Sequence, residues 1–328
     1  MVPIIALPPA PPSLNFAGHD FDCWVMVGGF NLRTADVSAA NLVMPRFADQ
    51  LEAAFLLDKS LAEPGAEMLN MNGERFVLSP TGPLNRCEDD VRRFFDAAQC
   101  GIKRALKAGA KKPLLLVLPD ENFEQSLLVS IMGAMQGLYT TLEHRESRPA
   151  EASKATALGV WSTCAKQQAV VPRAIMLEKA KTVCRDIQGT DPERMAPPRV
   201  EEYVRNIFEK SDIKINVVQG HETLRKEYPC MAAVDRCANQ VERHRARAIW
   251  LEYQNGTPER TICLVGKGIT YDTGGADIKA GGIMAGMHRD KGGASAVAGF
   301  MQAVDLIKPK NIRIIAGNFC QVFLRVCF

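Results

Sequence analysis

Short apolar runs separated by stretches of helical spacing set the limits on what this chain can become. Cys23-Trp24-Val25-Met26-Val27 and Leu114 to Leu118 show no alternation of apolar and polar residues, so neither strand can turn a face to water. Ile213 to Val218, Ala248 to Tyr253, Thr261 to Val265 and Ile312 to Ile315 also read as strands. Between the strands, Asp89 to Ala108 puts Val91, Phe94, Phe95, Ala98, Ile102 and Leu106 on one helical face, with Gly109 as its stop. Phe123 to Leu142, Ala169 to Ile187, and a run from Pro197-Pro198 through Phe208 read as further helices. Glu67 to Leu78 reads as a hairpin, because Asn72-Gly73 supplies the two positive-φ positions of a type I′ turn. Strands that are apolar on both faces, with helices between them, predict a mostly parallel sheet covered on both sides, the α/β class.

The polar stretch from Glu143 to Ser153 breaks this rhythm, with a strand at Ala157 to Trp161 beyond it. It predicts an N-terminal α/β domain over residues 1–163. A second, mostly parallel α/β domain follows over 164–328 and opens with a linker helix. A chain of 328 residues can bury cores of that size. The N-terminal MVPIIALPPAPP lacks a basic start and is broken by prolines, so it reads as a strand and turn rather than a secretion signal.

Charge and cysteine usage narrow the function classes. Forty Lys+Arg against 37 Asp+Glu leaves +3, too little for nucleic-acid binding by bulk charge. No stretch approaches the ~20 apolar residues of a membrane helix. The 10 cysteines form no C-x-x-C pair, which predicts free thiols and a reducing, cytoplasmic location. Asp89-Asp90 reads as a helix-capping pair, and His19 and His144 show no visible catalytic partners.

The chemistry concentrates between Leu264 and Phe300, a stretch with ten glycines. Glycine at that density costs folding entropy and is expected where backbone approaches a ligand or takes positive φ. Common motifs fail there. Thr261 stands where a P-loop needs its first glycine, and Gly268 follows Lys267 where Ser or Thr is required. Tyr271 breaks G-x-G-x-x-G, Arg225 breaks H-E-x-x-H after His221-Glu222, and Val297 breaks G-x-S-x-G around Ser295. There remains a strand ending in Lys267, followed by Asp272, Lys279 and Asp290 at offsets of 5, 12 and 23. Carboxylates suit hard divalent ions, a neutral lysine amine can join them, and a protonated lysine can polarise a carbonyl.

The run VGKGITYDTGG from Val265 to Gly275 resembles the V-G-K-G-[IV]-T-F-D-[ST]-G-G block of the leucyl aminopeptidase (cytosol aminopeptidase) family. Asp277-Ile278-Lys279 resembles its S-I-K, and DKGGA from Asp290 resembles its D-M-G-G-A. The resemblance implies a metal-dependent aminopeptidase that releases N-terminal amino acids from peptides. It implies two divalent ions, Zn²⁺ or Mn²⁺, that bind the free amine and the scissile carbonyl and activate a water. In that scheme Lys267, Asp272 and Asp290 are metal ligands, Asp272 contacts both ions, and Lys279 stabilises the oxyanion. Met287 takes the place of a methionine that lines the substrate pocket. A homo-hexamer is implied as well.

The match departs at several points. The family's N-T-D-A-E-G-R block, with the remaining ligands and a bicarbonate-binding arginine, is not in this sequence. The apolar end, Asn318 to Phe328, reads as a truncation: an incomplete gene model, a splice variant or a frameshifted tail. Lys291 replaces an apolar residue, Ile283-Met284-Ala285-Gly286-Met287 replaces N-M-D-L-M, and His288 reads as a surface or supporting residue. At most one bound ion is expected. Two function classes follow: an aminopeptidase whose catalytic domain is cut short, or a non-catalytic family member acting through self-association or competition for subunit positions.

Overall fold

A computed structural model describes residues 3–6, 21–29, 47–118, 120–164 and 166–323. The proline turn at Pro8 to Pro12, His19 and Cys327 lie outside the described residues. Contacts divide the chain into two units, residues 1–140 with 144–175, and residues 141–143 with 176–328. The sequence places the change between Thr163 and Cys164. The contacts change at 175/176, inside a helix spanning Gln167–Gly189.

The first unit holds strands β1 (Ile4–Ala6), β2 (Cys23–Gly28), β3 (Glu67–Met71), β4 (Glu74–Pro80), β5 (Pro113–Val117) and β6 (Leu158–Ser162). They lie in the order β1-β6-β5-β2-β4-β3, and every pairing is parallel except the β3–β4 hairpin. Every residue of β2 and β5 is buried, as their unbroken apolar runs require. Asn72 (φ 54°) and Gly73 (φ 86°) make the hairpin turn. The core gathers Trp24, Met26, Phe76, Leu78, Leu114, Leu116 and Trp161 from the strands, with Leu51 of helix α1 (Ala48–Leu57).

Helix α2 (Arg92–Lys107) buries Phe94, Ala98 and Ile102. It packs so closely that a Cβ on Gly101 would lie 2.6 Å from Val25 Cγ1. The helix begins at Arg92 rather than Asp89. Asp90 Oδ1 accepts from the Arg92 amide at the helix start, whereas Asp89 Oδ2 accepts from the Arg86 amide ahead of the helix. The expected capping pair thus reduces to Asp90 alone, and Val91 at the N-cap position makes no side-chain cap. The next helical run is two helices, α3 (Ser126–Leu138) and α4 (Leu142–Ser147), because Tyr139 leaves helical geometry at ψ 135°.

The second unit contains most of α5 (Gln167–Gly189), then α6 (Pro197–Ile207), β7 (Lys214–Gln219), α7 (His221–Glu227), α8 (Pro229–Asp235), β8 (Arg247–Asn255), β9 (Arg260–Asp272), α9 (Gly292–Ile307) and β10 (Ile312–Phe323). The strand order is β7-β8-β10-β9. The α/β class expected from sequence is the class observed. Within it, the described strands of this sheet form a mixed sheet rather than a mostly parallel one. β9 and β10 are parallel, while β10–β8 and β7–β8 are antiparallel. Connection length accounts for the central part. Only residues 256–259 join β8 to β9, far short of the dozen or more a parallel crossover needs, so these two strands run in opposite directions. The chain leaves β9, returns through α9, and lays β10 between them, parallel to β9. Ile249, Leu251, Tyr253, Ile314 and Ala316 of the sheet pack with Val200 and Val204 of α6 and Met301 and Val304 of α9.

Candidate functional site

β9 carries the first two candidate residues and runs further than its apolar pattern, ending at Asp272 rather than Lys267. It continues because it stays paired with β10, Lys267 opposite Phe319 and Asp272 opposite Phe323. Gly266 and Gly268 look like strand breakers, but here they permit close contact. A Cβ on Gly266 would lie 2.5 Å from the Gly293 carbonyl oxygen, and one on Gly268 would lie 2.6 Å from that of Phe319. Gly293 in turn sits on the Lys267 amide. The first turn of α9 therefore lies on the backbone of β9, and Asp290, just ahead of that turn, lands beside Lys267.

The loop after β9 brings in Lys279. Gly274, at φ 86°, donates its amide to Asp272 Oδ1 at 2.9 Å. A Cβ there would stand 2.1 Å from the Asp277 carbonyl oxygen, so the turn admits no side chain. The Lys279 amide then donates to the Thr273 carbonyl at 3.0 Å, folding the loop back on itself.

The structure brings all four candidates together. Lys267 Nζ lies 2.8 Å from Asp290 Oδ2 and 3.9 Å from Asp272 Oδ2, and Lys279 Nζ lies 3.4 Å from Asp272 Oδ2. Lys267 is 60% exposed and Asp272 13%, so the cluster opens to solvent on the lysine side. Partial burial pushes the Asp272 carboxyl up. The Gly274 amide, the neighbouring Asp290 side chain and Lys279 outweigh that and hold it below the usual carboxylate range. Asp290 Oδ2 is closed off from solvent and accepts no well-oriented hydrogen bond.

Met287 and His288 lie half-buried in a 3₁₀ turn, Met287–Arg289, entered through Gly286 at φ 82°. Burial, together with Lys291 and Arg289, pushes the His288 imidazole below its ordinary pKa. Asp277 is exposed. Sequence reasoning noted Lys291 only as a departure, yet it is fully buried. Its Nζ donates to the Thr190 carbonyl at 2.9 Å and to the His288 carbonyl, and burial pushes its pKa down to about 8. The available signal was its place on the inward stripe Lys291, Ala294, Ser295, Ala298, all of which are buried.

The donor chemistry fits one divalent ion. Lys267, Asp272 and Asp290 converge, and an ammonium now stands where two carboxylates face one another. Among the described residues no group of three or more His, Cys, Asp or Glu could hold a metal, so the candidate set depends on Lys267 joining the two aspartates.

Fold and site together define an α/β domain that presents a lysine–aspartate cluster at the end of a parallel strand pair. Residues 182–320 match the cytosol aminopeptidase family, catalytic domain, and in this segment the chain is similar to that family. A Caenorhabditis elegans protein named "Putative aminopeptidase W07G4.4" is 45% identical over 252 residues, covering 76% of this chain and 48% of its own length. Among solved structures, leucyl aminopeptidase from Leishmania major in complex with actinonin superposes with a TM-score of 0.77 at 17% identity, covering 99% of this chain and 63% of its own. The bottromycin maturation enzyme BotP in complex with Mn gives 0.68 at 19% identity, covering 93% and 60%. These two likenesses are of fold. The chain spans about half the length of the curated relatives it matches.

Proposed function

We propose that this chain acts as a metal-dependent aminopeptidase, removing N-terminal amino acids from peptides. The convergence of Lys267, Asp272, Asp290 and Lys279 from both sides of one loop is the observation that supports it. Lys267, Asp272 and Asp290 would hold the ion, Mn²⁺ or Zn²⁺. Mn is the ion named for the bound BotP structure. When bound, such an ion polarises a carbonyl and lowers the pKa of water.

The chain's own residues do the rest. Asp272 stays ionised at neutral pH, because its hydrogen bond from Gly274 and its lysine neighbours favour the charged form. Lys279 keeps its ammonium against Asp272 and can turn it toward the oxygen of a scissile carbonyl, where negative charge develops. Met287 offers an apolar surface for the substrate's first side chain. Peptides are the substrate class, and self-association into a homo-oligomer belongs to the same reading. The cytosol named for the family, together with the free described cysteines, supports a cytoplasmic setting. Among the described residues no helix is long and apolar enough to cross a membrane.

A second reading, a non-catalytic family member acting through self-association or subunit competition, draws support from the ligand set. Three donors serve one ion, whereas the resemblance implies two. Hydrolysis of leucyl-p-nitroanilide by these 328 residues with added Mn²⁺ or Zn²⁺ separates the readings. The aminopeptidase reading expects turnover that is slow beside a longer family member and is abolished in Lys279→Ala. No metal uptake and no turnover would favour the non-catalytic one.

A further inference from the structure

We propose that Lys291 is a positioning residue for the metal site, holding Asp290 in place from behind; this rests on Asp290 being a metal ligand. Lys291 is fully buried, and its ammonium donates to two carbonyls from different segments. One belongs to Thr190, in the chain leaving α5. The other belongs to His288, in the 3₁₀ turn just ahead of Asp290. Thr190 is itself held, since its hydroxyl donates to the Asp186 carbonyl at 2.6 Å and the next residue's amide donates to Glu143 Oε1 at 3.1 Å. On its other side, the Lys291 carbonyl accepts from the Ser295 amide at 3.0 Å and starts α9.

Asp290 therefore sits between two fixed points, the clamped turn before it and the anchored helix start after it. Its Oδ2 accepts no well-oriented hydrogen bond and has the largely exposed Lys267 ammonium as its ionic partner at 2.8 Å. Its direction toward Lys267 and Asp272 follows from where the backbone is pinned. The arrangement is costly. A buried ammonium loses its hydration, and a cation at a helix N-terminus opposes the helix dipole. A methionine would fill the same space without either cost. What methionine cannot do is bind the Thr190 and His288 carbonyls together.

The clamp also fixes Met287 and His288, which share that turn. Lys291 thus acts on the site through the backbone, without touching the ion. Groups that hold and orient ligands in this way typically govern metal affinity by 10–100-fold.

The test is calorimetric titration with MnCl₂ of the full chain, alongside thermal unfolding, for wild type, Lys291→Met and Lys291→Gln. Lys291→Met is expected to unfold at or above the wild-type temperature and to bind Mn²⁺ at least about tenfold more weakly. Lys291→Gln keeps one amide donor for a carbonyl and is expected to recover part of that loss. Mn²⁺ affinity unchanged in both variants, with wild type binding normally, overturns the clamp and leaves the site reading intact. No Mn²⁺ binding by wild type overturns the site reading itself. Loss of folding in both variants assigns Lys291 a purely structural role and also overturns the proposal.

Discussion

Lys267 Nζ lies 2.8 Å from Asp290 Oδ2, although the two residues stand on opposite sides of the loop joining β9 to α9. That salt bridge and a bound divalent ion exclude each other. To ligate, the lysine must give up both its proton and its ionic partner. With Lys267 as the proposed ligand, metal binding at this site would be a proton-releasing exchange.

One divalent ion per chain is the expected stoichiometry for these 328 residues. Affinity is expected to weaken as pH falls, because protons compete for Lys267 and for the carboxylates. Asp290→Ala is expected to abolish binding, while Lys279→Ala leaves it largely intact, since Lys279 is assigned to substrate. Titration with Mn²⁺ in buffers of different ionisation enthalpy reads stoichiometry and released protons together. Two tight sites, or no effect of Asp290→Ala, would refute the assignment.

The glycine contact between β9 and α9 is a second point of test. Gly266→Ala puts a methyl group where the Gly293 carbonyl now stands. The helix start must retreat, at a cost of about 1–3 kcal/mol, and Asp290 retreats with it. A lower unfolding temperature combined with weaker Mn²⁺ binding is the expected pair of results. A lower unfolding temperature alone would mean that the contact supports the fold without setting the site.

These same glycines show where the sequence was legible and where it was not. The four site residues stood out because their chemistry and spacing lie in one short stretch. The strand that carries Lys267 and Asp272 was read too short, since Gly266 and Gly268 mimic breakers, and their reason lies in α9 and β10. β10 was likewise read as ending at Ile315 but runs to Phe323. Gly317 there faces the Trp250 ring, with a would-be Cβ 3.0 Å from Cζ3, and Asn318 is buried. The mixed direction of the second sheet follows from one short connection, which a count of strands and helices overlooks. Lys291 was legible only as a departure from an apolar residue, because the carbonyls that hold it belong to Thr190 and His288, the first of them distant in sequence.

Asp235 offers a pH test remote from the site. It is fully buried, accepts from the Ala246 amide at 3.2 Å through Oδ1, and leaves Oδ2 without a hydrogen bond. Burial pushes its pKa up from the ordinary 3.8 to about 6, against the opposing pull of the Ala246 amide and of His221, Arg247 and Arg245 nearby. The folded state thus binds this proton more tightly than the unfolded chain. The associated stability is present below 3.8 and is lost as pH rises through about 6. Asp235→Asn removes that dependence, so its unfolding temperature should gain on wild type between about pH 4 and pH 7. A difference that stays constant with pH would contradict the burial argument.

The cysteines divide by environment. Burial pushes the Cys23 thiol up to about 12, with Asp22 adding to the effect, and burial pushes Cys320 to about 12 as well. Both are expected to resist iodoacetamide in the folded protein at neutral pH. Cys87, Cys100, Cys230 and Cys263 are exposed and are expected to react. Mass spectrometry of labelled peptides, with and without denaturant, reads each position. Labelling of Cys320 in the folded protein would place β10 outside the core.

Main chain rests on main chain where β9 meets α9, so the gap between the two aspartates owes little to the side chains of the intervening loop. Within that loop Gly281 (φ 63°) and Gly282 (φ 87°) hold backbone that side chains rarely adopt, while Ala280, Ile283 and Ala285 are exposed. Side chains at those three exposed positions can therefore change while the backbone contact that sets the Asp272–Asp290 spacing stays put.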